Sequence, residues 1–547
     1  AVIVGGRRRA TALAVALALA TAACSSSSDG DAAPEEADGE AVTCPERVDE
    51  AEFASAEELH ELLATFNEFG LRSPGSTQGE ASLDWLGEQF AAIDGVEVTW
   101  DTYEIDRWQP TPEAEDAPGR DLAAAGALRV DGDAEVPVAG AVPYTTPTGD
   151  DGVTAPMVHL AAGEEITAAD AAGKVVVQEI EHGSLPYAAF GAIGQHLTDD
   201  VPTEGDYDRP YLRPIDEILT AAGVAGAAGL VMVWDAPTDQ VAGYWAPHTG
   251  TRYRLPAVYV GRDGLDDLLA RADAGEDATV VVRAEWDRAT TRSLFATVPG
   301  GSRERIVFDT NNDAANWIQE NGTIAALGLA RYLASLPLEC RPRDIQFALT
   351  ANHLGFTGDG NNRFAPQLDR DYDEGTVAFV MGIEHLGARE VLPDPVGRLA
   401  FSGEAEVYAL SAPSESPVLV EATIDAVEGR DLPRTAVLQG VGTPVAGQVP
   451  QICSQGGLGT PFHDRLIPTI GGISGPWSMF APSFGADAVD ADLFRSQTLA
   501  FGDITLALGP VDRDEIAGDY LAAREQRAAG TVELCPTDPP PAEAPGP

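Results

Sequence analysis

Three histidines in the C-terminal half of the chain each lie beside other polar residues at the end of an apolar run. His353 follows FALTAN, His385 follows VAFVMGIE, and His463 follows GTPF. A fourth polar cluster, at residues 311–320, follows the apolar run RIVF. Imidazole and carboxylate groups bind zinc and also act as general acids and bases. If these runs are parallel strands, their carboxyl ends meet at one edge of a sheet, which predicts a single site there.

The elements that would position these residues alternate between strand and helix patterns from about residue 290 onward. Strands are predicted at LFATVPG, RIVFDT, IQFALT and TVAFVMGIEH. A helix is predicted over NGTIAALGLARYLASL with Asn321 as its N-cap, and two more over SPVLVEATIDAVEG and FRSQTLAFGDITLAL. This alternation predicts a mixed, mostly parallel α/β sheet with helices on both faces.

The interval 126–290 has a different character. Short Val-rich runs such as GKVVVQEI, GLVMVWDA and ATVVVRAEW alternate with Gly and Pro turns, around one amphipathic segment, DEILTAAGVAGAAG. This pattern predicts a small β-rich domain with a helix. Before it, residues 51–66 and 79–93 carry apolar positions at helical spacing.

The composition limits the partners that the chain can have. Of its 547 residues, 34 are Lys or Arg and 87 are Asp or Glu, which gives a formal net charge of −53. Phosphate binding needs a basic surface, so nucleic acid is not an expected partner. The hydrophobic fraction of 44% is that of a globular protein.

The N-terminal residues predict export and a lipid anchor. Three arginines at positions 7–9 precede an apolar run over 10–20, and TAAC ends at Cys24. These are the regions of a secretory signal, and the cysteine at its end resembles a bacterial lipobox. We therefore expect Cys24 to be lipidated and to hold the protein on the outer face of the cytoplasmic membrane. An ordinary signal peptide with an incidental cysteine is the alternative.

Four cysteines remain after Cys24, at positions 44, 340, 453 and 535. An even number in an exported protein predicts two disulfides, for which three pairings exist. We favour Cys44–Cys535, which would tie the two ends of the chain together, and Cys340–Cys453. The chain has no CxxC spacing, which argues against a thiolate zinc site.

The order of several segments resembles that of the clan MH zinc exopeptidases of metallopeptidase family 28. LRSPGS precedes a helix, TVPG precedes RIVF and its Asp/Asn cluster, and ENG opens an Ala/Leu-rich helix. This group includes bacterial aminopeptidases and the glutamate carboxypeptidase and transferrin receptor proteins. The segments GKVVV, AAGVAGAAGLVMV and LPAVYV resemble the protease-associated (PA) domain that many members carry. The resemblance spans about residues 47 to 510.

The resemblance, together with the composition of the two termini, predicts a domain organisation. The α/β zinc-exopeptidase-like domain would comprise residues 47–125 and 291–530, with the PA-like domain inserted at 126–290. A signal peptide would occupy residues 1–23, and an acidic flexible tether residues 24–46. A proline-rich tail would follow at 531–547.

The first two metal-binding motifs of the family are altered in this chain. The family has His-x-Asp after the first of these strands, for a metal ligand and the carboxylate that orients it. The matching triplet here begins with Asn311, so the histidine is absent, while Asp313 keeps the orienting position. The family's bridging aspartate precedes Asn-Gly, and Glu320 stands there in this chain.

The later motifs are altered as well. The family's Glu-Glu pair, a general base and then a ligand, corresponds to Asn352 and His353. The aspartate at the end of the next strand corresponds to Glu384, which His385 follows. For the family's last histidine ligand the candidate is His463, although it comes early, and GPWSMF, closer to the family position, has no histidine.

These changes weaken the chemistry that the resemblance implies. Asn311 would be a weak neutral donor to zinc, and Asn352 cannot accept a proton. General-base help is typically worth ~10²–10⁴ in rate, so two-metal hydrolysis does not carry over unchanged. One zinc ion could still bind to the remaining donors, which are Glu320, His353, Glu384 and His463. Asp313, His385 or Asp464 could then orient those ligands or act as the base.

Two functions therefore compete. The first is a cell-surface, metal-dependent hydrolase with a remodelled site, acting on a peptide or an amide. The second is a catalytically inactive binding module, because the transferrin receptor group uses this fold as a recognition surface. Glutaminyl-cyclase-like transfer on the same fold is a third, minor option.

Overall fold

The structure is a computed structural model of the 547-residue chain. It describes residues 43–111, 122–131, 134–180, 183–247, 250–313, 316–355, 359–450, 453–479, 481–535 and 542–543. The predicted signal peptide, Cys24, and most of the predicted tether and tail lie outside these ranges. Within the described ranges, no helix combines the length and apolarity needed to span a bilayer.

Helices and strands alternate along most of the described chain. The helices are α1 (Ala56–Asn67), α2 (Thr77–Ala91), α3 (Leu122–Ala125), α4 (Ala168–Ala171), α5 (Ala188–Ile193), α6 (Ile215–Val224), α7 (Leu265–Asp273), α8 (Gly322–Ser335), α9 (Gly360–Asp373), α10 (Pro417–Gly429), α11 (Thr460–His463), α12 (Ala491–Leu508), α13 (Arg513–Ala517) and α14 (Tyr520–Ala528). The strands are β1 (Glu97–Pro110), β2 (Gly126–Val130), β3 (Ala134–Val136), β4 (Gly140–Ala141), β5 (Val153–Leu160), β6 (Val175–Glu179), β7 (Ser184–Pro186), β8 (Gly194–Leu197), β9 (Asp206–Asp208), β10 (Gly229–Val233), β11 (Thr251–Arg252), β12 (Ala257–Val260), β13 (Asp277–Val282), β14 (Ala284–Val298), β15 (Arg305–Asn311), β16 (Asp344–Thr350), β17 (Val377–Ile383), β18 (Arg389–Pro393), β19 (Leu399–Ala405), β20 (Tyr408–Ser411), β21 (Thr435–Leu438), β22 (Thr469–Ile473) and β23 (Ala542–Glu543).

A nine-stranded sheet positions the predicted site. Its strand order is β1-β14-β16-β15-β17-β22-β20-β21-β8. The four central strands β16, β15, β17 and β22 run parallel, while β1, β14 and β20 introduce antiparallel pairs. The mixed, mostly parallel α/β fold predicted from the alternating pattern is thereby confirmed.

Alternate residues of the central strands pack against helices on opposite faces of this sheet. In β15, Ile306 and Phe308 join the core that contains residues of α1, α8 and α12, whereas Val307 joins the core that contains residues of α9. Successive strand side chains point to opposite faces, so a sheet buried on both faces needs continuous apolar strands. The run RIVF meets that requirement.

The predicted β-rich interval forms a second sheet of eight strands, in the order β3-β2-β13-β5-β6-β10-β12-β4. Helices α6 and α7 contribute to its core. The sheet is not isolated from the first one, because β1 and β14 form a long antiparallel pair that runs from the interval into the main sheet. In addition, β8 lies within the interval but pairs with β21 at the edge of the main sheet.

The predicted disulfide pairing is wrong. The structure joins Cys44 to Cys340, with Cα atoms 5.2 Å apart, and Cys453 to Cys535, with Cα atoms 6.1 Å apart. The N-terminal segment packs at the end of α8, where the amide of Asp49 donates to the Tyr332 hydroxyl, and this brings Cys44 to Cys340 rather than to the C-terminus. Counting cysteines cannot show which segments a fold brings together.

Candidate functional site

The strand ends converge as the sequence predicts. Asn311 is the last residue of β15 and is paired in register with Thr350, the last residue of β16. Asn352 follows β16 by two residues, and Glu384 directly follows β17. Because β16, β15 and β17 are adjacent parallel strands, these residues lie at one edge of the sheet.

Two residues at this edge hold a left-handed backbone conformation. Asn352 has a φ of 72° and His385 a φ of 57°. A residue other than glycine in this region costs of order 1–3 kcal/mol, and such residues concentrate at functional sites. Each of the two lies two residues beyond the end of a buried strand, so the strain lies where both strands turn away from the sheet.

Asp313 fixes the loop after β16. Its carboxylate accepts hydrogen bonds from the backbone amides of His353, at 3.1 Å, and Leu354, at 2.7 Å. Burial raises the pKa of Asp313 to about 8, against the lowering effect of the two amides. The Oδ1 atom of Asn311 accepts from the Thr350 hydroxyl at 3.0 Å. In this chain, therefore, Asp313 orients a loop instead of a histidine ligand.

Glu320 lies in the turn that leads into α8. Its side chain is buried, and among the described residues neither carboxylate oxygen has a hydrogen-bond partner. Burial and the neighbouring carboxyls of Asp313 and Glu384 raise the pKa of Glu320 well above its ordinary value, while the buried guanidinium of Arg72 opposes this. Burial therefore disfavours the charged form of the Glu320 carboxyl.

Asn321 is the N-cap residue of α8, as the sequence predicts, but its side chain makes no capping hydrogen bond. Its side chain instead forms two hydrogen bonds with the backbone of Leu386. The Nδ2 atom donates to the carbonyl at 2.7 Å, and the Oδ1 atom accepts from the backbone amide at 2.9 Å. The turn before α8 is thereby tied to the loop after β17. This contact fixes the backbone next to His385.

Glu384 and His385 form a buried pair. The Oε2 atom of Glu384 lies 3.4 Å from Nε2 of His385, and its Oε1 atom accepts from the Leu458 amide at 3.2 Å. The Nδ1 atom of His385 bonds to the Ser474 carbonyl, which can only accept, so Nδ1 carries the proton in this arrangement. Burial raises the pKa of Glu384 to about 8, and the Leu458 amide opposes that rise.

A glycine is required beside this pair. Gly457 has a φ of 57°, and a Cβ atom there would lie 1.9 Å from Oε1 of Glu384. Any larger residue would therefore displace the Glu384 carboxyl as well as strain the backbone.

His463 does not join the other predicted ligands. It lies at the end of α11 with its side chain buried, and its Nδ1 atom is 2.6 Å from the Tyr520 hydroxyl. Burial lowers the pKa of His463 to about 4, and the charge of Glu415 opposes this only in part. His463 is therefore a neutral packed histidine near pH 7.

A cavity of about 740 Å³ opens at this edge of the sheet. His353, Glu384, His385 and Asp464 line it, whereas Glu320 and His463 do not. Sequence reasoning missed much of the remaining wall, which includes Gln319 and, from the β-rich interval, Leu185, Phe190, Tyr207 and Tyr211. In the sequence, the aromatic residues between 185 and 211 are a sign of this wall. They lie far along the chain from the strand ends, so the sequence does not show that they share a cavity with them.

The residues present do not fit the zinc centre that the resemblance implies. Glu320, His353, Glu384 and His463 do not supply three ligand atoms that all lie within 4.8 Å of one another. Among the described residues, Cys453, Asp464 and Cys535 form the one group of that kind, and its two cysteines are joined in a disulfide. A disulfide sulfur is not a thiolate ligand, so this group does not replace the missing centre.

The comparisons with known proteins establish the fold. No protein-family model and no curated protein matches the chain. BSAP, a zinc aminopeptidase from Bacillus subtilis, superimposes with a TM-score of 0.56 at 15% sequence identity, covering 84% of this chain and 98% of that one. A peptidase M28 precursor from Shewanella amazonensis gives a TM-score of 0.56 at 14% identity, covering 88% and 98%. The chain therefore has the zinc-aminopeptidase fold. A fold does not determine the chemistry, which depends on the residues of the site.

Proposed function

We propose that the chain is a binding protein built on the zinc-aminopeptidase fold, and that it holds a peptide or a related amide in the cavity without zinc-dependent turnover. The observation that carries this proposal is the side-chain chemistry at the sheet edge. Asn311 and Asn352 stand where the resemblance requires a metal ligand and a general base, and Asp313 is engaged by two backbone amides. The binding space remains, with a volume of about 740 Å³.

The polar residues of the cavity suit ligand binding better than hydrolysis. Metal-assisted hydrolysis needs an activated water and a base that takes its proton. Asn352 cannot take a proton, and the raised pKa of Glu384, about 8, keeps that carboxyl largely protonated at neutral pH. Glu384 and His385 can nevertheless donate hydrogen bonds to a ligand or accept them from it.

Metal analysis and turnover assays test this proposal together. The protein would be purified without chelator, analysed for zinc, and incubated with a panel of aminoacyl and peptidyl substrates. We expect substoichiometric zinc and no cleavage. Stoichiometric zinc together with cleavage of the panel would contradict the proposal and support the hydrolase alternative.

A matched variant sharpens the test. Asn311→His and Asn352→Glu together restore the family's ligand and base at two positions. A gain of bound zinc in this double variant, absent from the wild type, would assign the loss of metal to these two side chains. Calorimetry with short peptides then measures binding in both proteins.

We also propose that the cavity is displayed outside the cytoplasmic membrane. The support is the signal pattern before Cys24 and the acidic stretch after it, both read from the sequence. Metabolic labelling with a fatty acid would test it. Incorporation into the wild type and its loss in Cys24→Ala are expected, and an unlabelled wild-type protein would refute the anchor.

A further inference from the structure

An unpaired amide side chain lines the cavity. Gln319 is 1% exposed, and among the described residues neither its amide nitrogen nor its amide oxygen has a hydrogen-bond partner. Buried polar groups are nearly always paired, so this side chain has hydrogen-bonding capacity that a ligand in the cavity can satisfy. A carboxamide offers both a donor and an acceptor, which is the pattern complementary to another amide.

An apolar wall faces the same cavity. It consists of Leu185, Phe190, Tyr207 and Tyr211, which we call the aromatic subsite. The ring centroids of Phe190 and Tyr207 are 5.5 Å apart, and those of Tyr207 and Tyr211 are 6.4 Å apart. Leu185 remains 43% exposed and Tyr211 46% exposed. Apolar surface left uncovered at a cavity marks a place where a ligand is buried.

Buried ion pairs hold the aromatic subsite in position. Arg209 lies 4.3 Å from the ring centre of Tyr207 and forms ion pairs with Glu406, at 2.9 Å, and Glu390, at 3.2 Å. Arg434 in turn pairs with Glu390 at 2.8 Å. All four charged side chains are buried. Together with the pairing of β8 and β21, these contacts fasten the segment from the β-rich interval to the main sheet.

The aromatic subsite adjoins the polar end of the cavity. A Cβ atom on Gly475 would lie 2.3 Å from the Tyr211 ring, so this ring packs directly on the backbone there. The preceding residue, Ser474, is the one whose carbonyl bonds to His385. A ligand that fills the aromatic subsite therefore reaches the polar side chains within one cavity.

We infer that Gln319 and the aromatic subsite select ligands in which an amide stands next to a large apolar side chain. This inference rests on the proposed function and names the ligand class for the same cavity. The lining residues Asp359 and Asp464 outnumber the one lining arginine, Arg465, which disfavours anionic ligands. The cavity volume of about 740 Å³ lies within the range of small-ligand sites.

Three small probes test the contribution of Gln319 separately from that of the aromatic subsite. They are N-acetyl-phenylalanine amide, N-acetyl-alanine amide, and methyl O-acetyl-3-phenyllactate, in which both amides are replaced by esters. Binding to the full chain would be measured by calorimetry, with mass spectrometry to check that the probes stay intact. We expect the phenylalanine probe to bind about tenfold or more tightly than the alanine probe, because its ring is buried. We expect it to bind about tenfold more tightly than the ester, which cannot pair with Gln319 in the same way.

Variants assign each preference to its residues. Gln319→Leu should abolish the preference for amide over ester and keep the preference for phenylalanine over alanine. Phe190→Ala and Tyr211→Ala should abolish the preference for phenylalanine over alanine and keep the preference for amide over ester. Phe401→Ala is the matched control, because Phe401 is 37% exposed on β19 and does not line the cavity. Circular dichroism and thermal melting verify folding, and Tyr211→Ala is the variant best tolerated because Tyr211 is half exposed.

The outcomes are distinguishable. The inference is overturned if the folded wild type binds none of the probes, if it does not prefer phenylalanine to alanine, or if Phe190→Ala behaves like Phe401→Ala. It is also overturned if Gln319→Leu keeps the amide preference. Stoichiometric zinc with cleavage of peptides would refute the proposed binding function, yet the phenylalanine preference and its loss in Phe190→Ala would still support the subsite.

Discussion

Replacing His463 tests whether this histidine is a packed residue or a metal ligand. Its side chain is buried beside the Tyr520 hydroxyl, and burial lowers its pKa from 6.5 to about 4. In the folded protein His463 therefore takes up a proton only under strongly acidic conditions. In the unfolded chain it takes one up near its ordinary pKa.

The difference in pKa fixes the size and sign of the effect. One pKa unit corresponds to about 1.4 kcal/mol, so the shift of His463 corresponds to about 3 kcal/mol. The folded-state pKa is the lower one, so the unfolded chain binds more protons between the two values. The stabilisation is fully present above pH 6.5 and is lost as the pH falls towards about 4. Wild-type stability should fall across this window by more than that of His463→Gln.

Urea unfolding at about pH 7.5 and about pH 4.5 measures this difference, with His60→Gln as the control for the loss of one histidine. We expect the free energy of unfolding to fall by about 2–3 kcal/mol more in the wild type than in His463→Gln. The imidazole signal of His463, assigned by its absence in the variant, gives the pKa directly by NMR titration. A midpoint near 6.5, or an equal pH dependence in wild type and variant, would refute the reasoning. Stabilisation by zinc that disappears in His463→Gln would instead identify a metal ligand.

The remaining predictions concern the walls of the cavity. Gly457→Ala should weaken binding of N-acetyl-phenylalanine amide in calorimetry, because the new Cβ would lie 1.9 Å from Oε1 of Glu384. Gly447→Ala shares the strain of a positive φ, 76°, but meets no described atom within 4 Å, so its affinity should be unchanged. Arg209→Met leaves the buried carboxylate of Glu406 without its ion-pair partner and should lower the free energy of unfolding by about 3–5 kcal/mol in urea titrations. Arg288→Met removes a 68% exposed partner and should cost less than about 1 kcal/mol, and equal losses in the two variants would contradict this assignment.

The fold could be predicted from the sequence because its signals are local. The central strands β15, β16 and β17 are found at the predicted apolar runs, and the helix predicted over residues 321–336 is found at Gly322–Ser335. The register of β8 could not be predicted in this way. Its four residues carry no pattern of their own, and their pairing with β21 depends on segments about 240 residues apart in the chain.

The candidate site could be predicted only as a location. Asn311 ends β15, Asn352 and Glu384 follow β16 and β17, and the parallel arrangement of these strands brings the three residues to one edge. Side-chain direction is a different matter. His463 turns towards Tyr520, which follows it by 57 residues. Whether His463 is a ligand or a packed residue depends on such tertiary contacts, which neither composition nor periodicity encodes.

The two asparagines at altered family positions and the buried carboxyls near them both favour a neutral ligand. Asn311 and Asn352 are neutral where the resemblance requires a basic donor and an anionic base. The neighbouring carboxyls of Asp313 and Glu384 are shifted in the same sense, because burial raises the pKa of each to about 8. These four residues therefore place less negative charge at the sheet edge than a divalent cation needs, while Glu384 and its neighbours in the cavity wall still offer donors and acceptors at fixed positions. We expect such a surface to bind a neutral hydrogen-bonding group, and an amide fits best because the Gln319 carboxamide has no hydrogen-bond partner among the described residues.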